Sequence, residues 1–232
     1  MNIIGIIGAM EEEVELLKEK MTDTVITEKA GMKFVKGTLK GQTAVVVRSG
    51  IGKVNAGICT QILADEFQVE AVINTGIAGS LKAEINIGDI VLSTDTMQHD
   101  VDAREFGYLL GQIPRMETLT FLADEKLRKL AKEVCEEVNP DIQVFEGRVA
   151  SGDQFVADKV TKEKIIENTQ AYCTEMEGAA IGQAAYLNKI PYLVIRAISD
   201  KADDSAHVDY PTFERQAIRH TVNLVSSMME RM

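Results

Sequence analysis

The stretch YLVIRAISD, at residues 192–200, is an apolar strand pattern with a single charged residue, Arg196, at its centre. A guanidinium buried in such a strand needs a carboxylate partner, because an unpaired charge inside a protein costs several kcal/mol or more. Glu13 or Glu177 could supply that partner. The stretch ends at Ser199 and Asp200, so it predicts a buried strand with an acid at its carboxyl end.

Outward from this strand, short apolar stretches alternate with helical patterns along the whole chain. Leu127, Leu130, Ala131, Val134 and Val138, for example, recur at the helical period. Further strands are predicted at residues 2–8, 34–39, 43–49, 71–75, 90–94, 144–150 and 171–175, and helices at residues 10–20, 50–67, 123–138, 159–168 and 178–187. An apolar stripe of Ile218, Val222, Val225 and Met229 predicts a long closing helix. This alternation predicts one domain over residues 1–232, a three-layer α/β/α sandwich around a mixed, largely parallel sheet.

The residues that follow the predicted strands have a composition of their own. They are rich in glycine, serine and acids, at residues 8–13, 49–52, 76–79, 151–155, 175–177 and 199–200. In sheets of this kind, ligands bind outside the carboxyl ends of the strands. We therefore expect a binding site where these turns meet.

The balance of charge and the cysteines restrict the class of protein. The 232 residues include 36 acidic and 25 basic side chains, a formal net charge of −11, which gives no general attraction to nucleic acid or to an anionic membrane. No apolar stretch approaches the roughly 20 residues that span a bilayer. Cys59, Cys135 and Cys173 form no C-x-x-C pair, and we expect buried, reduced thiols in a cytoplasmic protein.

The glycines match neither of the two common phosphate-binding motifs. Gly52 and Lys53 are followed by Val54 rather than by Ser or Thr, which fails the P-loop pattern. Asn55 stands where the dinucleotide fingerprint needs its third glycine. We therefore expect no cofactor, and the glycines taken alone predict only tight turns and close packing.

Four acids lie at or just after predicted strand ends: Glu13, Glu175, Glu177 and Asp200. Taken singly, such acids fit helix-dipole or capping roles. Taken together beside Arg196, they suit cleavage of a glycosidic bond, because carboxylates favour a cationic, oxocarbenium-like transition state over the neutral substrate. One acid would protonate the leaving base and another would activate water.

Three apolar residues near these acids allow two interpretations. Met10, Phe155 and Met176 could form the walls around an uncharged base and a thioether, or they could simply pack in the core. The sequence does not decide between these interpretations.

Five motifs, in the same order along the chain, closely resemble those of bacterial 5'-methylthioadenosine/S-adenosylhomocysteine nucleosidases. They are GIIGAMEEEV (5–14), SGIGKVNA (49–56), SGDQFV (151–156), EMEGAA (175–180) and RAISD (196–200). The resemblance implies the nucleoside phosphorylase fold, a homodimer, and hydrolysis of methylthioadenosine, S-adenosylhomocysteine and also 5'-deoxyadenosine. Such an enzyme releases adenine in methionine salvage and removes a by-product of the methyl cycle.

The resemblance also implies roles for individual residues. Asp200 would protonate N7 of adenine, and Glu13 would position and activate the water. Glu177 would bind the ribose hydroxyls, with Met176 lying against the sugar. Arg196 would help to hold the water and its acidic neighbours.

The walls of the site follow from the same resemblance. Phe155 would stack on the adenine. The remaining residues expected to bind the nucleoside are Gly79, Val156, Glu175 and Ser199 around the base and sugar, and Met10, Ile51 and Tyr210 around the 5' group. Phe106, Tyr108 and Pro114, in the long connection at residues 97–116, would reach the 5' group of the partner subunit's ligand.

One position departs from the family pattern. Asn74, Thr75 and Gly76 are followed by Ile77, where the family usually has a small hydroxyl residue that orients the general acid. We therefore expect Asp200 to depend on backbone donors or water, with activity retained at an altered rate or pH profile.

Three other functions are less well supported by the sequence. A nucleoside phosphorylase would use phosphate, but residues 11–13 are three glutamates where related phosphorylases keep an arginine. A nucleoside sensor on the same fold would bind without turnover. His99, Asp100 and Asp102 lack the paired spacing of metal ligands, so we expect no metal site there.

Overall fold

In the computed structural model, which describes residues 3–232, strands and helices alternate as the sequence predicts. The strands are β1 (Ile3–Gly8), β2 (Thr22–Lys29), β3 (Met32–Leu39), β4 (Gln42–Arg48), β5 (Ala71–Ser80), β6 (Ile90–Gln98), β7 (Phe121–Leu122), β8 (Val144–Ser151), β9 (Cys173–Glu175) and β10 (Tyr192–Asp200). The α-helices are α1 (Glu15–Glu19), α2 (Lys53–Phe67), α3 (Glu125–Val138), α4 (Lys159–Thr169), α5 (Gly178–Asn188) and α6 (Ala206–Arg231). Asn2, predicted to begin the first strand, lies outside the described residues.

The strands form one mixed sheet in the order β10-β6-β8-β9-β5-β1-β4-β3-β2, with β7 beside β6 and β10 also paired with β5. Parallel pairs join β1 with β4 and β5, β5 with β10, and β8 with β6 and β9. Antiparallel pairs are as numerous among the described strands. Parallel pairing is thus less dominant than predicted, because the β2–β3–β4 meander extends one edge.

Strand β5 changes neighbours along its length, and this change opens a crevice. Residues 71–74 pair with β1, whereas Gly79 and Ser80 pair with β9. Strand β10 follows β5 from residue 72 to residue 79. The ends of β1, β5, β9 and β10 therefore surround a gap, and ligands of α/β sheets bind at such points.

Helices cover the sheet and complete the α/β architecture. Helix α2 packs against α5, and α6 packs against α3, β5 and β10. Strands β1, β5 and β10 are buried along almost their whole length, as expected for strands covered on both faces. None of the helices within residues 3–232 combines the length and apolar character that crossing a bilayer requires.

The cysteines are core residues, as predicted. Cys59, Cys135 and Cys173 are all free and buried. Burial raises the pKa of the Cys59 and Cys173 thiols far above its usual range. These thiols are therefore packing groups rather than nucleophiles.

Two elements differ from their predicted bounds because of side chains in the crevice. Helix α1 begins at Glu15 rather than near Met10, since Glu13 folds back to accept hydrogen bonds from the backbone of residues 9 and 10. Strand β5 continues to Ser80 rather than ending at Gly76. A Cβ at position 76 would clash with groups packed against the strand, so this glycine serves close packing instead of a turn.

The sequence does not predict β2 because the strand has no buried face. All of its residues, Thr22–Lys29, are exposed, so its apolar residues show no alternation with polar ones. Strand β2 is the edge of the sheet and pairs with β3 on one side. Its charged residues are typical of edge strands that must not pair with another chain.

The core and the edge of the sheet should respond differently to the same substitution. Ile73→Ala, at a fully buried position of β5, is expected to lower the free energy of unfolding by about 2–5 kcal/mol, since it leaves a cavity. Ile26→Ala, at a position 60% exposed on β2, should cost less than about 1 kcal/mol. Denaturant unfolding of both variants checks this, and equal losses would contradict the assigned core.

Candidate active site

A cavity of about 530 Å³ fills the crevice between the ends of the strands. It is lined by Ala9, Met10, Glu13, Ile51, Ile77, Ala78, Gly79, Phe155, Thr174, Glu175, Met176, Glu177, Ser199, Asp200, Ala206, His207, Tyr210 and Pro211. These residues include four carboxylates and no lysine or arginine. The cavity therefore suits an uncharged ligand on which positive charge develops, rather than an anion.

Arg196 lies behind the cavity and is among the largest fully buried side chains. Its Nη2 donates hydrogen bonds to Glu175 and, at 2.6 Å, to Asn74 Oδ1, and lies 3.7 Å from Glu177 Oε2. Burial alone would lower the pKa of Arg196, but Glu175, Glu177 and Glu13 raise it. The predicted ion pair of Arg196 with Glu177 is confirmed, and Glu175, which was not predicted as a partner, forms the direct hydrogen bond.

Glu13 is held by three backbone N–H groups at one side of the cavity. Its Oε2 accepts from Ala9 at 2.7 Å and from Met10 at 3.0 Å, and its Oε1 accepts from Ile77 at 3.2 Å. Burial raises the pKa of Glu13, although Arg196 and the three N–H groups oppose that effect. The carboxyl group is thus fixed in position and binds a proton more tightly than a free glutamate does, as a general base requires.

Glu177 is tied to the glycine-rich turn that precedes α2. Its Oε1 accepts from the backbone N–H of Gly52 at 2.8 Å. Gly52 has a φ of 98°, a conformation that other residues rarely adopt. Burial raises the pKa of Glu177 to about 7, with repulsion from Glu175 adding to it and attraction to Arg196 opposing it.

Glu175 is largely engaged within the protein. Its carboxylate accepts from the backbone N–H groups of Glu177 at 3.2 Å and Gly178 at 2.8 Å, and from the Ser151 hydroxyl. Such N–H groups at the start of a helix, here α5, otherwise lack intrahelical partners. Because Arg196 also bonds to this carboxylate, the geometry explains how Glu175 orients the arginine, while its contact with a ligand stays a prediction.

Asp200, at the end of β10, has two donors of its own. Its Oδ1 accepts from the Ala202 backbone at 2.7 Å, and its Oδ2 accepts from the Ser199 hydroxyl at 2.8 Å. A Cβ at Gly79 would lie 2.8 Å from Oδ1, so the glycine leaves the acid room. Burial raises the pKa of Asp200 against both donors. The expected backbone support beside Ile77 is confirmed, and the Ser199 hydroxyl adds to it.

Aromatic and sulfur-containing side chains form the mouth of the cavity. The ring of Phe155 lies edge-on to Tyr210, with centroids 5.7 Å apart, and 6.0 Å from the ring of His207. The Tyr210 hydroxyl lies 3.4 Å from the sulfur of Met10. Flat rings and polarisable sulfur at an opening suit a flat base and an apolar substituent.

The structure brings most of the predicted site residues to this one cavity. Those that line it are Met10, Glu13, Ile51, Gly79, Phe155, Glu175, Met176, Glu177, Ser199, Asp200 and Tyr210. Val156 borders an adjoining cavity of about 40 Å³, and Arg196 lies behind Glu175. Their roles toward a ligand stay predictions.

Three predicted residues lie elsewhere in this chain. Phe106, Tyr108 and Pro114 are not among the lining residues of the cavity. They belong to the irregular connection between β6 and β7, where Phe106 is 82% exposed. Their predicted contact, with the partner subunit's ligand, stays a prediction.

Seven residues that line the cavity are not among the predicted site residues: Ala9, Ile77, Ala78, Thr174, Ala206, His207 and Pro211. His207 and Pro211 line the cavity, but only the apolar stripe of the later turns identifies α6 in the sequence. His207 lies three residues before Tyr210 and therefore on the same helix face, which could have identified it. The chemical signal in this segment comes from the acids that follow Thr174, so the threonine itself is not predicted.

The alternative metal site at residues 99–102 does not form a cluster. Asp100 accepts a hydrogen bond from Lys53 Nζ at 2.5 Å, and Asp102 pairs with Arg104 at 2.6 Å. Burial lowers the pKa of His99. Among the described residues, no group of three or more His, Cys, Asp or Glu side chains is arranged to hold a metal ion. The two acids are matched by cationic side chains instead.

The fold and the acidic cavity define a class of protein, and comparison with known families identifies it. The sequence profile of the phosphorylase superfamily matches residues 3–230. The chain belongs to that superfamily.

Relatives that cover the whole chain narrow the class. The 5'-methylthioadenosine/S-adenosylhomocysteine nucleosidase of Bacillus cereus (strain B4264) is 41% identical over 230 residues, 99% of both chains. The Colwellia psychrerythraea nucleosidase, solved with adenine, is 41% identical with a TM-score of 0.94, and the match covers 98% of this chain and 94% of that one. The chain therefore belongs to the 5'-methylthioadenosine/S-adenosylhomocysteine nucleosidase family.

Two further solved structures show the range of the fold. The Neisseria meningitidis nucleosidase, in complex with methylthio-immucillin-A, is 35% identical with a TM-score of 0.96, and both chains are covered completely. The futalosine hydrolase of Helicobacter pylori is 34% identical with a TM-score of 0.94, covering 100% of this chain and 98% of that one. Two proteins named for different substrates therefore share this fold and have similar sequence identity to this chain.

The raised pKa of Glu177 should make stability depend on pH in a predictable direction. The pKa of Glu177 is about 7 in the folded state, against the usual value of 4.5. Between these two pH values the folded state binds the carboxyl proton more tightly than the unfolded state does, so stability falls as pH rises through that window. Glu177→Gln keeps an oxygen acceptor for Gly52 but cannot ionise. The unfolding free energy of the wild type relative to this variant should therefore decrease from pH 4.5 to pH 7.

Denaturant unfolding of both proteins at several pH values measures this difference. Glu163→Gln on the exposed part of α4 is the matched control and should leave the pH profile of the wild type unchanged. A difference between wild type and Glu177→Gln that stays constant across the window would contradict the raised pKa.

Proposed function

We propose that this protein hydrolyses the N-glycosidic bond of 5'-methylthioadenosine and S-adenosylhomocysteine, and also that of 5'-deoxyadenosine, releasing adenine and the 5-substituted ribose. The observation that carries the proposal is the pair of buried acids, Glu13 and Asp200, that line one cavity without a lysine or arginine among its lining residues. The 41% identity to curated nucleosidases supports the same substrates. The enzyme would act in methionine salvage and in the removal of a methyl-cycle by-product.

Asp200 is assigned as the general acid toward adenine. Departure of a purine anion from the sugar is difficult, and protonation at N7 converts the base into a neutral leaving group. Burial raises the pKa of Asp200, which favours the protonated form that an acid catalyst needs. The Ser199 hydroxyl and the Ala202 N–H hold the carboxyl group in place, so little reorganisation is needed during proton transfer.

Glu13 is assigned as the group that positions and activates water. Its carboxylate packs beside Gly76 of β5, whereas that of Asp200 packs beside Gly79. Three residues of extended strand span roughly 10 Å, so the two acids pack against β5 at different points along its length. Separations of about 6.5–9.5 Å are typical of inverting glycosidases, in which an acid and a base act on opposite sides of the sugar.

Glu177 is assigned to the ribose hydroxyls and Met176 to the face of the sugar. The backbone N–H of Gly52 donates a hydrogen bond to Oε1 of Glu177. The other carboxylate oxygen of Glu177, Oε2, lies 3.7 Å from Arg196 and can still accept a hydrogen bond from a hydroxyl. The acids around the sugar also stabilise the positive charge of an oxocarbenium-like transition state. The site thus combines leaving-group protonation, water activation and charge stabilisation.

Hydrolysis fits the cavity better than phosphorolysis does. Phosphate binding calls for arginines or backbone nests with free N–H groups. Arg196 is engaged by glutamates, and the N–H groups of Ala9 and Met10 are engaged by Glu13. An incoming phosphate would meet acids instead of donors.

Adenine release from methylthioadenosine, followed with and without inorganic phosphate, tests the proposed activity. Equal rates in both conditions are expected. A strict requirement for phosphate would establish a phosphorylase, and binding without release would establish a sensor. Futalosine belongs among the substrates tested, since the Helicobacter pylori hydrolase named for it is 34% identical.

Asp200→Asn should lower turnover about 10²- to 10⁴-fold, the usual contribution of one general acid, while nucleoside binding stays measurable. Asp141→Asn is the matched control, because Asp141 is exposed in the turn before β8 and absent from the lining of the cavity. Turnover in the control should remain near that of the wild type. Near-normal turnover of Asp200→Asn would remove Asp200 from its assigned role.

The protein is also proposed to act as a homodimer. Large apolar side chains are exposed on α2, α5, β7 and the connection between β6 and β7, namely Val54, Ile58, Tyr186, Leu187, Leu122, Phe106 and Leu109. Helix α2 packs on α5, and the ring of Phe121 packs on that of Tyr186, so α2, α5 and β7 are neighbours. Exposed apolar clusters of this kind mark protein interfaces.

A homodimer would also explain the predicted contribution of Phe106, Tyr108 and Pro114 to the neighbouring site. Their segment does not reach the cavity of its own chain. The chain would act as one domain, and its buried free thiols fit the reducing cytoplasm.

Placing a charge within the exposed apolar surface should dissociate the dimer. Val54→Glu, at a position 71% exposed on α2, is expected to yield monomers in sedimentation experiments and to lower activity toward methylthioadenosine. Val25→Glu, at a position 65% exposed on the edge strand β2, is the matched control and should stay dimeric. A dimeric Val54→Glu, or a monomeric wild type, would contradict this interface.

A further inference from the structure

Thr174 has a buried hydroxyl group that the protein itself does not use. The residue borders both the main cavity and the smaller one beside it. The residue is 5% exposed, and among residues 3–232 nothing forms a hydrogen bond with its Oγ1. Thr174 therefore lies at the junction of two cavities and carries a buried hydroxyl without a partner.

An unpartnered hydroxyl at such a place is costly to the folded protein. Leaving a buried polar group unsatisfied destabilises the folded state, and valine would fill the same volume without that penalty. Rotation about χ1 moves the hydroxyl of threonine between staggered positions. Because no hydrogen bond within the described chain would be broken, the hydroxyl of Thr174 is free to turn toward a ligand.

The register of the sheet determines which part of a ligand Thr174 would meet. Thr174 pairs with Gly79 across β9 and β5, and Gly79 pairs with Asp200 across β5 and β10. Since neighbouring strands lie about 4.8 Å apart, the backbones of Thr174 and Asp200 are separated by roughly 10 Å. The residue between them is a glycine, and Phe155 borders the same space. Because Gly79 has no side chain, the main cavity extends over β5 between Thr174 and Asp200, and all four of these residues line it.

We propose that Thr174 is a specificity residue of the base site and that its hydroxyl forms a hydrogen bond with a polar atom of bound adenine. The proposal rests on the proposed function, because it takes adenine as the occupant of the cavity. Asp200 engages the purine from one strand, and Thr174 engages it from the other side of Gly79. The hydroxyl gains in the complex the partner that it lacks in the free protein.

Two substitutions separate the hydroxyl from the shape of the side chain. Thr174→Val keeps the volume and removes the hydroxyl, whereas Thr174→Ser keeps the hydroxyl. Calorimetric titration with adenine should show affinity about 3- to 10-fold lower for Thr174→Val, the loss expected for one neutral hydrogen bond, and near wild-type affinity for Thr174→Ser. Thr174→Val should also raise the thermal midpoint of the ligand-free protein, because the unsatisfied group is gone.

These opposite effects on stability and affinity distinguish ligand binding from a purely structural role. Unchanged adenine affinity in Thr174→Val, or an equal loss in Thr174→Ser, would overturn the proposal. Because adenine lacks a ribose, a loss seen only with methylthioadenosine would place the contact on the sugar and overturn it as well. Hydrolysis of methylthioadenosine by the wild type is measured separately. If the wild type is active but Thr174→Val binds adenine with unaltered affinity, the role of Thr174 is rejected while the proposed function stands.

Discussion

The pairing of one buried guanidinium with buried carboxylates is the constraint on which the site depends. Arg196 carries its charge in the middle of an otherwise apolar strand, and the protein compensates with Glu175 in direct contact and Glu177 nearby. Removing one partner of such a pair strongly destabilises the folded protein, because the remaining charge stays buried without a partner. The intact pair itself contributes much less to stability. The strand, the start of α5 and the turn after β9 must therefore keep their relative positions.

The same cluster sets the electrostatic character of the cavity. More acids than bases face it, so repulsion adds to burial in raising the pKa of Glu177. A site with this excess of acid stabilises positive charge on a sugar and repels phosphate, and both effects favour water as the nucleophile. Fold and chemistry are connected here through β5, whose glycines leave space for Glu13 and Arg196 at position 76 and for Asp200 at position 79.

Much of this arrangement could be predicted from the sequence, because each signal is local. The apolar residues around Arg196 predict a buried strand, the acid after them predicts a site at its end, and the alternation of elements predicts the α/β fold. The motifs of the family then assign residues to roles, and most of these residues line one cavity. The prediction that Asp200 relies on backbone support, in view of Ile77, is confirmed by the Ala202 N–H.

The features that could not be predicted depend on contacts between distant parts of the chain. The preference of Arg196 for Glu175 over Glu13 depends on how the start of α5 binds that carboxylate. The short α1 depends on Glu13 folding back onto residues 9 and 10, and β2 has no buried face to produce a pattern. Thr174 is significant only because the sheet places it beside Gly79.

The central claim is that Asp200 and Glu13 act on a purine nucleoside from different sides of its glycosidic bond. A crystal structure with a nucleoside analogue that has a carbon–carbon bond in place of that bond tests it most directly. Asp200 should lie within about 3 Å of N7, with Glu13 holding a water molecule near the anomeric carbon. An analogue bound outside the cavity, or with both acids at the same end of the ligand, would contradict the claim.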